Sequence, residues 1–186
     1  MSPKLFKILK IAGIIIGLIF TLILVLVFTV DTEFEMDRSI VIDKPTEEVF
    51  DYVKYLRNQY NYSVWGALDP DMKQDFRGTD GTVGFVSVWE GNEDAGSGEQ
   101  EIVGMIEGER IDYELRFFEP FESTSYAYMT TEAISENQTL VTWGMFGSFP
   151  RPMNIMFLFF DLEEAIGSDY ETGLQNLKIL LESEES

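Results

Sequence analysis

A chain of 186 residues with 33 acidic and 13 basic side chains carries a formal charge of −20, a balance that repels nucleic acid and anionic head groups. Cysteine and histidine are both absent, which removes disulfides, thiol nucleophiles, Ser-His-Asp triads, His-ligated zinc and an imidazole base. Chemistry would fall to carboxylates, tyrosines, lysines or a bound cofactor, and the sequence gives grounds for neither a cofactor nor a metal. The acid-rich stretches Asp69-Pro70-Asp71 and Asn92-Glu93-Asp94 lack EF-hand spacing and read as solvated turns.

Residues 11–30, IAGIIIGLIFTLILVLVFTV, hold no charge and no amide, the length a helix needs to cross a hydrocarbon core of roughly 30 Å. Lys4, Lys7 and Lys10 precede this stretch, and Asp31, Glu33, Glu35 and Asp37 follow it. The positive-inside bias therefore predicts a single-pass anchor in the cytoplasmic (inner) membrane, N-terminus inside and the rest of the chain on the outer or periplasmic side. A cleaved signal peptide shares the basic start, but its apolar core runs about 7–15 residues and ends at a small-residue site that Phe28-Thr29-Val30-Asp31 does not offer. The expected organisation is a tail at 1–10, a transmembrane helix at 11–30, a linker at 31–37 and one globular domain at 38–183.

Within that domain, Arg38–Ile42 reads as a β-branched strand, and Pro45-Thr46-Glu47-Glu48 opens a short helix with acids in its first turn. A second short helical segment runs through Tyr55, Leu56, Tyr60, Tyr62 and Trp65 until Asp69-Pro70 breaks it. From about Met72 to Gly147, turn signals separate five or six antiparallel strands. The clearest is Ile111–Phe117, whose strict alternation sends Ile111, Tyr113, Leu115 and Phe117 inward and Asp112, Glu114 and Arg116 outward. Thr82–Trp89 divides into Val83, Phe85, Ser87 and Trp89 against Gly84, Val86 and Val88; Leu140–Phe146 divides into Val141, Trp143 and Met145 against Leu140, Thr142 and Phe146. Leu162, Ile166, Tyr170, Leu174, Leu177 and Leu181 draw one apolar stripe along a final helix from about Leu162 to Glu182. Ahead of it, Met153–Phe160 is apolar except for Asn154, and reads either as a short buried helix that completes the core or as a gate over a cavity mouth.

Strand, two short helices, antiparallel strands and one long last helix is the order of the α+β helix-grip fold, a curved antiparallel sheet wrapped around its C-terminal helix, here preceded by one transmembrane helix. The resemblance is to the SRPBCC superfamily, which includes START lipid-transfer domains, birch-pollen-allergen-like proteins and polyketide cyclases. It is carried by Ile40–Phe50, by Gly81-Thr82-Val83-Gly84 with Trp89–Asn92 and Gly96-Ser97-Gly98, by Val141-Thr142-Trp143, and by Asp169–Leu174 with Leu177-Lys178. The chain is most similar to bacterial members described as polyketide cyclase/dehydrase or lipid transport.

That resemblance implies a cavity, and the residues expected to line it as ligand contacts are Trp65, Trp89, Tyr113, Phe117, Trp143, Met145, Phe157 and Tyr170. Gly167 and Gly173, inside the last helix, suggest either close approach to the sheet or room for a ligand. The function expected is a membrane-anchored module holding or transferring a lipid or other hydrophobic small molecule, with no nucleic-acid partner and no catalytic residue. Two alternatives stand beside it: a polyketide cyclase-like enzyme, for which Asp169 and Glu171 are the only candidate acids, and a non-enzymatic interaction or stress-response protein.

Overall fold

The computed structural model describes residues 3–183, arranged as two compact units. One comprises the chain up to Phe34 together with Ser148–Asp161; the other comprises Glu35–Gly147 together with the chain from Leu162 onward.

The first unit is built on helix α1 (Pro3–Thr29), with a mean hydropathy of 3.1 over its most apolar 18 residues. It is long and apolar enough to span a membrane. Its last carbonyls, which have no partner within the helix, receive donors from the later segment. Arg151 Nε donates to the Val27 carbonyl at 2.8 Å, and Asn154 Nδ2 donates to the carbonyls of Val27 at 2.9 Å and Val30 at 2.8 Å. The Met153–Phe160 run is not a short buried helix completing a core. It is a 3-10 turn over Met153–Leu158 in which the one polar residue, Asn154, is the buried one, while Met156, Leu158, Phe159 and Phe160 are exposed. The capping bonds account for this inversion, because the amide must face the helix end and so turns its apolar neighbours outward. Phe157 packs against Phe34 and Phe149, with ring centres 6.2 and 5.4 Å apart.

The second unit is the helix-grip fold. A curved seven-stranded sheet runs in the order β1 (Glu33–Ile42), β7 (Gln138–Ser148), β6 (Ser123–Ser135), β5 (Arg110–Glu119), β4 (Ser97–Ile106), β3 (Val86–Glu90) and β2 (Lys73–Arg77). Strand β1 begins at Glu33, five residues before Arg38, so most of the stretch expected as a linker is strand. Strand β3 begins at Val86 rather than Thr82, because Gly81 and Gly84, with φ of 75° and 89°, turn the chain just before it. The two short helices are α2 (Thr46–Val53) and α3 (Leu56–Gln59), and the long last helix is α4 (Leu162–Ser183).

The α4 stripe is buried at Tyr170, Leu174, Leu177 and Leu181. It shares the core with Val49, Phe50 and Val53 of α2 and with Ile42, Ile102, Ile111, Met129 and Val141 of the sheet. On the other face of β5, Arg116 bridges Glu99 and Glu101, at 2.7 Å each, and Glu114. Glu101 and Glu114 are directly paired across β4 and β5, and like charges in that position repel. The guanidinium between them offsets the repulsion, and the surrounding acids hold it charged.

Candidate functional site

A cavity of about 240 Å³ lies within the helix-grip unit. Strands β3 to β7 supply Ser87 and Trp89, Gln100, Leu115 and Phe117, Ala127, and Trp143 and Met145 in that order; α4 supplies Ile166 and Tyr170. Gln59 and Tyr60 at the end of α3, and Ser63, Trp65 and Gly66 after it, close the wall with Met72 and Ala95. The alternation of β5 explains where the hollow begins. Its inward residues Ile111 and Tyr113 are fully buried in packed core, whereas Leu115 and Phe117, further along the same face, are only partly covered and line the cavity.

Six of the eight residues expected to contact a ligand line this space: Trp65, Trp89, Phe117, Trp143, Met145 and Tyr170. Tyr113 does not. It lies in the filled half of β5, where burial raises its pKa well above the usual tyrosine value and Tyr62 adds to the shift. Phe157 does not line it either, being packed with Phe34 and Phe149 in the other unit. Gly167 and Gly173 are also outside the lining. Gly173 allows close approach, since a Cβ there would stand 3.0 Å from the Trp143 ring.

The walls are set by aromatic contacts. Trp143 stacks on Tyr170 with centres 4.4 Å apart, and Trp65 meets both edge-on, at 5.9 Å from Trp143 and 5.5 Å from Tyr170. Trp89 packs edge-on against Phe117 at 5.8 Å and donates its indole N–H to the Ala95 carbonyl at 3.2 Å. Gly98, paired with Trp89 across β3 and β4, makes that placement possible, since a Cβ there would stand 2.6 Å from the indole. Such contacts leave the wall defined rather than collapsible.

Its polar groups are few and uncharged. Tyr60 Oη and Ser87 Oγ lie 3.0 Å apart in a hydrogen bond, and Gln59, Ser63 and Gln100 share the lining. Burial raises the pKa of both Tyr60 and Tyr170, so both hydroxyls stay protonated. No Asp, Glu, Lys or Arg belongs to the described lining. Of the two acids considered from sequence, Glu171 is exposed and Asp169 is partly covered; neither lines the cavity.

Sequence reasoning missed other residues of the lining, among them Tyr60, Ser87, Gln59, Gln100 and Ala127. Ser87 did leave a signal, as the one polar residue in the inward set between Phe85 and Trp89. Gln100 and Ala127 lie on strands without clean alternation.

Desolvation raises the pKa of Asp169 above its usual 3.8. The folded state therefore holds this proton more tightly than the unfolded state, and stability falls as pH rises above the unfolded value. Asp169→Asn should melt higher than the parent at pH 7 and match it near pH 3. The exposed Glu171→Gln is the control for net charge, and equal gains from both variants would remove the burial argument.

No protein-family model matches the sequence, and no curated protein matches it. Solved structures do match the fold. Norcoclaurine synthase from Thalictrum flavum, solved with dopamine and hydroxybenzaldehyde, aligns over 87% of this chain and 92% of its own at 6% identity, with a TM-score of 0.61. The allergen Ara h 8.0201 aligns over 81% and 99% at 12% identity and 0.54, and Aha1 from Colwellia psychrerythraea over 82% and 99% at 13% identity and 0.55. At these identities the likeness establishes the helix-grip fold.

Proposed function

We propose that this chain is a membrane-anchored member of the SRPBCC superfamily that holds a compact, uncharged, largely apolar molecule in its cavity. The observation that carries this reading is a preformed aromatic cavity with no charged side chain among the described residues of its lining. At about 240 Å³ the cavity is at the small end for ligand pockets, which favours a compact compound. A carboxylate or phosphate head group would find no cation there, and burying it unpaired would cost far more than the apolar contacts return. Of the lipid or other hydrophobic small molecule expected from sequence, this favours the second. The Tyr60–Ser87 pair, with Gln59 and Gln100 in the same wall, would orient one neutral polar group. Norcoclaurine synthase, with dopamine and hydroxybenzaldehyde bound, is a protein of the same fold that takes compounds of this size.

Binding is favoured over cyclase-like catalysis because the titratable groups at the cavity are tyrosines held protonated, which can donate a hydrogen bond but do not supply a base near neutral pH. Native mass spectrometry of the full-length chain tests the reading. One uncharged small molecule per chain is expected; a fatty acid or other charged occupant of the cavity, or a bare chain, counts against it.

The anchor is α1, oriented N-in by Lys4, Lys7 and Lys10 against the acids from Asp31 onward. Protease added to intact spheroplasts should therefore digest the helix-grip unit and spare α1. Full protection of the unit would reverse the orientation, and a mature N-terminus near Val30 would turn α1 into a cleaved signal.

A further inference from the structure

We infer that the segment from Arg151 to Phe160 is a collar that seats in the interfacial layer of a lipid bilayer at the C-terminal end of α1; this rests on reading α1 as a membrane span. Three observations converge on a lipid surface as its occupant. The collar is bonded to the helix end itself. Asn154 is completely buried and directs both amide hydrogens at the Val27 and Val30 carbonyls, while Arg151 Nε adds a second donor to Val27. Carbonyls ending a helix take water or side-chain donors, and at the edge of a hydrocarbon layer, where water is scarce, protein donors are the favoured solution.

Apolar surface is concentrated where this geometry puts lipid. Phe159 is 77% exposed, Phe160 64%, Leu158 50% and Met156 40%, within one unit with Phe28 of α1, which is 70% exposed. The collar's own charge is basic, unlike that of Asp31 and Glu33 after α1. In a chain with 33 acids, the only charged residue between Ser148 and Phe160 is basic, and acids resume at Asp161. Arg151, whose guanidinium lies 5.8 Å from the Phe28 ring centre, is the residue type that pairs an apolar stem with an anionic head group. A second copy of the chain would leave this coincidence of charge, caps and helix end unexplained.

The absence of cysteine permits clean spin labelling of the full-length protein in vesicles of phosphatidylethanolamine and phosphatidylglycerol. Nitroxides at Phe159→Cys and Phe160→Cys are compared with Ile16→Cys in the middle of α1 and with Val83→Cys in the helix-grip unit, which are 67% and 59% exposed in the parent. Collision with oxygen should exceed collision with a water-soluble nickel chelate severalfold at 159 and 160, as at 16, with the reverse at 83. A lipid-facing label at 16 with water-facing labels at 159 and 160 overturns the collar and leaves the anchor standing. Labels at 159 and 160 shielded from both colliders mean a protein partner, which also overturns it, and a water-facing label at 16 removes anchor and collar together.

Discussion

Trp143→Ala should be the most destabilising single substitution of those considered, lowering stability by about 3–5 kcal/mol, since that is the range for truncating a buried aromatic to alanine. Trp143 is 1% exposed and holds three aromatic partners at once, namely Tyr170 of α4, Tyr62 and Trp65. Its loss therefore removes packing between the sheet and the last helix as well as one wall of the cavity. For a protein of this size, about 2–4 °C per kcal/mol puts the melting temperature roughly 6–20 °C lower. Trp143→Phe should lose much less, because a ring remains to stack on Tyr170. Thermal unfolding of the full-length protein, followed by circular dichroism, checks both. A shift for Trp143→Ala no larger than that for Trp143→Phe would mean that the stack is not what joins α4 to β7.

Leu177→Ala comes second, at about 2–5 kcal/mol, a large part of the 5–15 kcal/mol typical of a folded domain. Leu177 is wholly buried near the centre of the α4 stripe. Ile179, two residues on and 59% exposed, supplies the internal control. Ile179→Ala should change stability by less than about 0.5 kcal/mol, as surface substitutions do. Equal effects at the two positions in the same unfolding measurement would contradict docking through the Leu174–Leu177–Leu181 face.

The parts of this protein that were legible in advance are those with an uninterrupted period. The α4 stripe and the strict alternation of β5 repeat long enough for geometry to follow from spacing, and α1 is marked by the length of its uncharged run alone. Periodicity sorts side chains by face, however, and does not say whether a face meets packed core or empty space. Ile111, Tyr113, Leu115 and Phe117 share one face of β5, yet only the last two border the cavity. Nothing in their alternation distinguishes them. The position of the hollow depends on Trp65, Trp143 and Tyr170 contacts made across long sequence separations, and Ala127 is small where β6 borders the cavity.

The conformation of Met153–Phe160 was not legible for a different reason. A run that is apolar all round has no face to read, and its lone polar residue looked incidental. The carbonyls that Asn154 caps lie more than a hundred residues earlier in the chain, so the reason for its burial is a tertiary one. Gly98 is similar: its meaning lies in the Trp89 indole opposite it rather than in any local turn.

On the proposed function, the cavity itself, and not the apolar surface elsewhere, takes a neutral apolar molecule. Ala127 is buried on β6 and lines that space, so Ala127→Leu should fill part of it. The decisive measurement is a fluorescence titration of the full-length chain in nanodiscs with 1-aminonaphthalene, a neutral two-ring probe, with empty nanodiscs subtracted. The parent chain should bind it saturably at one site. Ala127→Leu should weaken binding at least tenfold, about 1.4 kcal/mol, while keeping or raising the melting temperature. Equal binding by parent and variant, or no saturable binding by the parent, would contradict the assignment of this cavity as the ligand site.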